Sequence, residues 1–503
     1  MDLFYEKKQE ALKIELKEIE YLKYTLNTLL YWDKLIYMPK GAISYRSEII
    51  QFLSKDIYNR FSSPKFLKLQ EYFEKSLKKN EVIEATLKKI KNNSNFVQKI
   101  PLKEYEDYMN LITLSEDIWK KAKTENSYDE FSLCLEKIVA HFKNFTQYWG
   151  YKNTPYDALL RYYDIDVNCE ELDILIEDLK KFIVPLVKEI EKNSKSSVAK
   201  NFSGEYDFNK QMELSKYILS ITGFNFTYGR VDLGEHPTTL AASPKDVRVV
   251  TSFDKNDLKV GIYNTFHEAG KGLYEQGISE NLLGTLLAEV SSQVLEESQA
   301  RFYENIVGRD KNISSLILKK IKELFPELKD KEDIDFYRLV NGVKLSPIRI
   351  EADELTYILH IIIRYEIERD LLEGRLGVKD LPEVWNGKYK EYLGVVPKSF
   401  SEGLLQDIHW ASGYFGFFPV YLIAELYSHQ LRKALEKELN ISSENIDIGD
   451  LKKINSWLRE NIYCHGALYS SKEILKRLTG ENLSSKHYIE YLKSKYYKLY
   501  NIK

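Results

Sequence analysis

The segment His267-Glu268-Ala269-Gly270-Lys271 is where residue type and spacing first suggest chemistry. On an α-helix, positions four apart share a face. A His-Glu-x-x-His segment therefore offers two imidazoles to one metal ion, and its glutamate can hold and deprotonate a metal-bound water. A third ligand usually arrives from another element, leaving one position open for water and substrate. Here His267 and Glu268 supply the first half, and Lys271 stands where the second imidazole belongs. An ammonium cannot ligate until it loses its proton, which from a reference pKa near 10.4 costs roughly 4 to 5 kcal/mol at neutral pH. Alone, a His-Glu pair followed by lysine specifies nothing, so its meaning depends on the elements that position it.

Those elements are predicted to be mainly α-helical. Apolar residues recur at threes and fours from Asp2 to about Tyr31 and from about Ser63 to Ile100, with Met38-Pro39-Lys40-Gly41 ending a helix between them. Further helices are expected over Tyr105 to Lys123, Tyr128 to Tyr148 and Cys169 to Asn193. The pattern changes after Gly223: Phe224 to Val260 holds short β-prone pieces such as Val247-Arg248-Val249-Val250-Thr251, separated by turn residues including Asp254-Lys255-Asn256-Asp257. Helical periodicity resumes at Gly261, with breaks near Gly308, Pro326, Pro347, Gly374 and Pro397. The expectation is one domain over residues 1–503, with a helical N-terminal lobe at about 1–223, a small sheet at about 224–260 beside the helix bearing His267, and a C-terminal helical lobe at about 261–503.

Composition narrows the partners. A formal net charge of -3 carries no basic surplus, and runs such as Lys78-Lys79 and Lys88-Lys89 read as solvated helix faces, so nucleic acid is not an expected partner. The apolar stretch Ile358 to Ile363, interrupted by His360, falls far short of the ~20 residues that span a bilayer. Charged residues near the start, among them Glu6, Lys7, Lys8 and Glu10, do not read as a signal peptide, and Cys134, Cys169 and Cys464 lie far apart without redox or metal spacing. A cytoplasmic home is the expectation. The 37 Tyr read mostly as half-buried helix packing.

The residues around His267 give the segment its meaning. Phe266-His267-Glu268-Ala269-Gly270-Lys271-Gly272-Leu273-Tyr274-Glu275-Gln276-Gly277 resembles the active-site helix of the thermostable carboxypeptidase family, zinc-dependent C-terminal exopeptidases. Trp32-Asp33, His236-Pro237, Asp246-Val247-Arg248, Glu297-Ser298-Gln299, Glu351-Ala352-Asp353-Glu354, Gln406-Asp407-Ile408-His409-Trp410 and Gly416-Phe417-Phe418-Pro419 resemble further family motifs in family order. The resemblance implies a helical body with a deep central groove, usually a homodimer, that removes C-terminal residues from peptides with a free C-terminus. It implies His267 and Glu297 as zinc ligands, Glu268 as general base, His409 as a catalytic groove residue, and Arg349, Arg248 and His236 as substrate-binding residues. A guanidinium suits a terminal carboxylate because its planar fork bonds both oxygens at once.

Measured against the resemblance, Lys271 occupies the place of the second histidine ligand, Glu296 that of a histidine before the glutamate ligand, Ser252 that of an arginine, Thr238 that of an aromatic and Phe417 that of a tyrosine. Zinc is therefore expected to be absent or weakly bound, with the Lys271 ammonium standing in for it and Glu297 as its chief partner. Three readings follow: a peptidase with weak or lost activity, a non-catalytic peptide- or partner-binding protein, and an active carboxypeptidase with an altered metal site. Without the resemblance, His409 beside Trp410 reads as a packed core histidine, His236 as shaping a turn, His360 as structural, and Arg349 with Glu351 as an ordinary ion pair.

Overall fold

A computed structural model describes residues 2–77, 79–193, 202, 204–442 and 444–503, so Lys78 lies outside the described residues. The chain divides into two compact units. The first comprises Met1–Lys91, Asn201–Tyr337 and Leu431–Gly480, and the second Asn92–Lys200, Arg338–Gln430 and Glu481–Lys503. Both are built mainly from helices. Among the described residues, no helix is long and apolar enough to cross a membrane.

The helices follow the sequence pattern, with instructive interruptions. The Asp2 to Tyr31 periodicity forms a helix over Asp2–Lys23, then a wider π-turn segment over Tyr24–Leu30 and a short helix over Tyr31–Ile36. The Ser63 to Ile100 stretch splits into Pro64–Lys75 and Glu81–Gln98. Ser63 caps the first of these by accepting from Phe66 N, and Pro64 sits in the first turn, where a missing N–H costs nothing. The other expected helices lie at Leu102–Glu125, Asp129–Trp149 and Cys169–Asn193.

The sheet belongs to the first unit. It has three strands, β1 (Gly229–Leu233), β2 (Thr238–Ser243) and β3 (Asp246–Thr251), in the order β1-β3-β2. β1 pairs parallel to β3 with Val231 opposite Val249, and β2 pairs antiparallel with Thr239 opposite Val249. Val247 and Val249 are fully buried on the central strand.

Beneath the sheet runs α1 (Leu258–Gly277), started by Asp257, whose carboxylate accepts from Lys259 N. A buried contact between Thr251 and Thr265 hydroxyls, 3.3 Å apart, ties β3 to α1. α2 (Gln293–Arg301) packs against α1 and continues as a π-turn segment over Phe302–Val307. In the second unit, α3 (Tyr357–Leu372) is buried nearly all round, which explains its mostly apolar Ile358 to Ile363 run, and α4 (Leu381–Leu393) packs beside it. His360 is fully buried there, with Nδ1 2.9 Å from the Tyr389 hydroxyl.

Candidate active site

Gly270 decides how closely α1 and α2 meet. A Cβ at this position would lie 2.3 Å from the Gln299 carbonyl oxygen and 2.8 Å from Ala300 Cα, so only glycine permits this backbone approach. The approach sets Glu297 on α2 against His267, Glu268 and Lys271 on α1. Glu304, on the π-turn that prolongs α2, reaches the same place.

His267 lies between two carboxylates, with Nδ1 2.9 Å from Glu304 Oε2 and Nε2 3.4 Å from Glu297 Oε2. Lys271 Nζ stands 3.4 Å from Glu268 Oε1 and 3.6 Å from Glu297 Oε2. The second oxygen of Glu268 accepts from the Thr239 hydroxyl at 2.7 Å, fixing the carboxylate to β2. Arg301 closes the cluster from behind, 3.2 Å from Glu297 and 3.4 Å from Glu304, and Arg309 adds a longer contact to Glu304 at 3.9 Å.

The protonation pattern follows from these contacts. Burial opposes a charged His267 ring, but the Glu297 carboxylate and the hydrogen bonds to Glu297 and Glu304 outweigh it and raise the ring to about 9. Burial likewise opposes charge on Glu297 and Glu304, yet His267 and Lys271 hold Glu297 well below the carboxylate range. Arg301 and His267 hold Glu304 at about 2. Glu296 goes the other way. Burial pushes it up to about 7, with Glu268 and Glu297 adding to the shift and Lys271 opposing it.

This donor set does not fit a zinc shell. Tetrahedral sites of the catalytic kind take three protein donors and leave one position open. Here the imidazole, one carboxylate and an ammonium share the space, and the ammonium already lies beside Glu297, the carboxylate a metal would need, as well as Glu268. Among the described residues, no group of three or more His, Cys, Asp or Glu side chains is arranged to hold a metal ion.

The remaining candidates separate. Arg248, on β3, makes a bidentate pair with Asp246 at 2.9 and 3.1 Å and lies 4.4 Å over the Trp32 ring. His236 is exposed in the turn between β1 and β2. Ser252 receives a hydrogen bond from Asn264 Nδ2 at 2.9 Å.

Arg349 and His409 belong to the second unit. Arg349 donates to Asp407 Oδ1 from both Nε and Nη2, at 3.0 and 2.9 Å, and to the Tyr357 hydroxyl at 3.1 Å. Its expected partner Glu351 instead accepts from Ser346. The other oxygen of Asp407 accepts from Arg364 Nε at 2.7 Å. His409 Nε2 is 3.3 Å from the Tyr421 hydroxyl, and burial together with Arg349 lowers the ring to about 4, leaving it neutral.

Sequence reasoning missed Glu304, Arg301, Thr239 and Asp407. Glu297, Arg301 and Glu304 are spaced four and three apart, the spacing of ion pairs on one helix face, and that signal was available. Asp407 lay inside a quoted motif, but nothing local pairs it with an arginine 58 residues away.

The sequence matches the Carboxypeptidase Taq (M32) metallopeptidase family over residues 11–496. It is 39% identical over 482 residues to Carboxypeptidase 1 of Bacillus subtilis, covering 94% of this chain and 95% of that protein. Thermostable carboxypeptidase 1 of Pyrococcus furiosus is 33% identical over 471 residues, covering 93% and 94%. The fold superposes on the crystal structure of the M32 carboxypeptidase from Deinococcus radiodurans R1 with a TM-score of 0.93 and 29% identity, over 99% of this chain and all of that one. With a match spanning nearly its whole length and relatives above 30% identity, the chain belongs to the Carboxypeptidase Taq metallopeptidase family.

Proposed function

We propose that this metallocarboxypeptidase-family protein carries an internal ammonium where its family binds zinc, and that hydrolysis of peptide C-termini is weak or lost while recognition of peptides with a free C-terminus persists. The observation that carries the reading is the position of Lys271 Nζ, within 3.6 Å of both Glu268 and Glu297. Those carboxylates need a cation, and the protein supplies its own. Zinc, where it binds at all, must displace that ammonium and take His267 Nε2 from its contact with Glu297.

In this reading Glu268, held by Thr239, keeps the location of a general base but faces no activated water. Arg349 uses three of its five N–H groups on Asp407 and Tyr357, which leaves two for a carboxylate. Asp407 orients the fork, and His409 stands by as a neutral donor. Arg248 and His236, in the first unit, are weaker candidates for peptide binding, since Arg248 is already paired with Asp246. A homodimer and a reducing, cytoplasmic setting complete the proposal, the latter supported by three free cysteines.

Elemental analysis of purified protein, run beside a chelator-sensitive assay on short unblocked peptides, tests this. We expect substoichiometric metal, little release of C-terminal amino acids, and binding of free-acid peptides in preference to their amides. Stoichiometric transition metal with chelator-sensitive turnover would establish the active reading with an altered metal site.

A further inference from the structure

Next to His409, within the second unit, is a cavity of about 10 Å³ lined by Arg364, Trp385, Asp407, His409, Trp410 and Phe418, among others. That is room for one water, provided polar partners are present. Two of its walls carry them. Trp385 is 2% exposed, its ring stacks on Tyr389 and lies 4.8 Å from the Arg364 guanidinium, and its Nε1–H meets no acceptor among the described residues. His409 Nδ1 likewise has no partner, whereas Nε2 faces Tyr421. A buried indole N–H left unmatched is destabilising. Two such atoms on residues that line one water-sized cavity call for a shared occupant.

We propose that a single ordered water fills this cavity, accepting from Trp385 Nε1–H and donating to His409 Nδ1, so that Trp385 is a positioning residue that holds His409 as its Nε2–H tautomer. His409 is neutral across the working range, so its tautomer rather than its charge decides what it offers a ligand. With the proton on Nε2, the ring presents a donor on the side of Tyr421, suited to a peptide carbonyl or carboxylate oxygen. The alternative tautomer would present a lone pair there and repel both. The use of that donor rests on the reading of the protein as a binder of peptide ends. The water and the tautomer do not.

The test uses the full chain without any peptide. Crystals grown in sodium bromide should show a water within hydrogen-bonding distance of Trp385 Nε1 and His409 Nδ1, with no anomalous bromide signal. Histidine-specific ¹⁵N NMR should show His409 protonated at Nε2. Trp385→Phe keeps an aromatic ring and removes the N–H; the tautomer ratio should then move about fivefold toward Nδ1–H, the equivalent of one hydrogen bond of ~1 kcal/mol. Bromide in the cavity, a cavity without density, or an Nδ1–H ring in the unmodified protein overturns the proposal, whatever becomes of Trp385→Phe. Failure to bind peptides would sink the functional reading alone.

Discussion

Lys271→Met removes an ammonium and keeps an unbranched stem of similar length, which makes it the sharpest probe of the site. The ammonium stands 3.4 and 3.6 Å from oxygens of Glu268 and Glu297. At an effective dielectric of ~20, each contact is worth about 5 kcal/mol before costs. Two costs reduce this: desolvation of a side chain only 19% exposed, and repulsion from the charged His267 ring, which the same ammonium opposes. A net loss of about 3 kcal/mol remains, at the low end for breaking a buried pair. Unfolding entropy near 2.1 cal/mol/K per residue makes roughly 1 kcal/mol/K for a chain of this length, so Tm should fall about 3 °C in scanning calorimetry, and further if the first unit melts alone. Lys271→Arg, which keeps the charge, should stay much closer to the parent. A Lys271→Met protein as stable as the parent would refute the idea that this ammonium compensates the two glutamates.

Lys271→His supplies a second imidazole, and Glu304 already holds His267 by Nδ1 with Nε2 turned toward Glu297; stoichiometric zinc should appear in elemental analysis. Turnover should nevertheless remain well below that of Bacillus subtilis Carboxypeptidase 1 assayed alongside, because Glu296, Ser252 and Phe417 are unchanged, and equal rates would defeat that argument. Gly270→Ala drives a methyl into the backbone of α2 and should cost about 1 to 3 kcal/mol in calorimetry, with no loss expected only if the two helices do not touch there. In metal-free protein, folded His267 keeps its proton to about 9 while the unfolded ring releases it near 6.5. The folded state therefore binds more protons between those values. This contribution to stability is complete below about 6.5 and disappears as pH rises through about 9, and His267→Gln should flatten the profile. Asp407→Asn leaves Arg349 and Arg364 facing each other unneutralised and should cost about 3 to 5 kcal/mol in urea unfolding.

What could be read from the sequence depended on whether the signal was local. The helix carrying His267 was legible from its period, although it starts at Leu258, capped by Asp257, ahead of the expected Gly261, and the valines of β3 announced a strand. Neither π-turn segment was legible, since the extra residue per turn leaves no characteristic residue type behind. The one after Arg301 matters most, because it brings Glu304 to His267 Nδ1. Glu297 could be placed only through resemblance, for the crossing of α1 and α2 is a tertiary fact that the sequence records only as the glycine at 270. The expectation that Glu297 would be the chief partner of Lys271 needs adjustment: Glu268, three residues away on the same helix, lies slightly nearer, while Glu297 is shared with His267 and Arg301.

That sharing explains why a lysine can reside at position 271. Glu268, Glu297 and Glu304 present three carboxylates in a partly buried space, and a neutral side chain at 271 would leave them to His267, Arg301 and Arg309. Arg301 bears on Glu297 and Glu304, at 3.2 and 3.4 Å, and Arg309 on Glu304 at the longer distance of 3.9 Å. Glu268 also accepts from Thr239, a hydroxyl that donates one hydrogen bond and carries no charge. The ammonium of Lys271 supplies that missing countercharge, and its i,i+3 position puts it on the same face without any change of backbone. Electrostatic need, rather than ligand geometry, thus accounts for a lysine at this position, and it also sets the obstacle that any incoming cation must overcome.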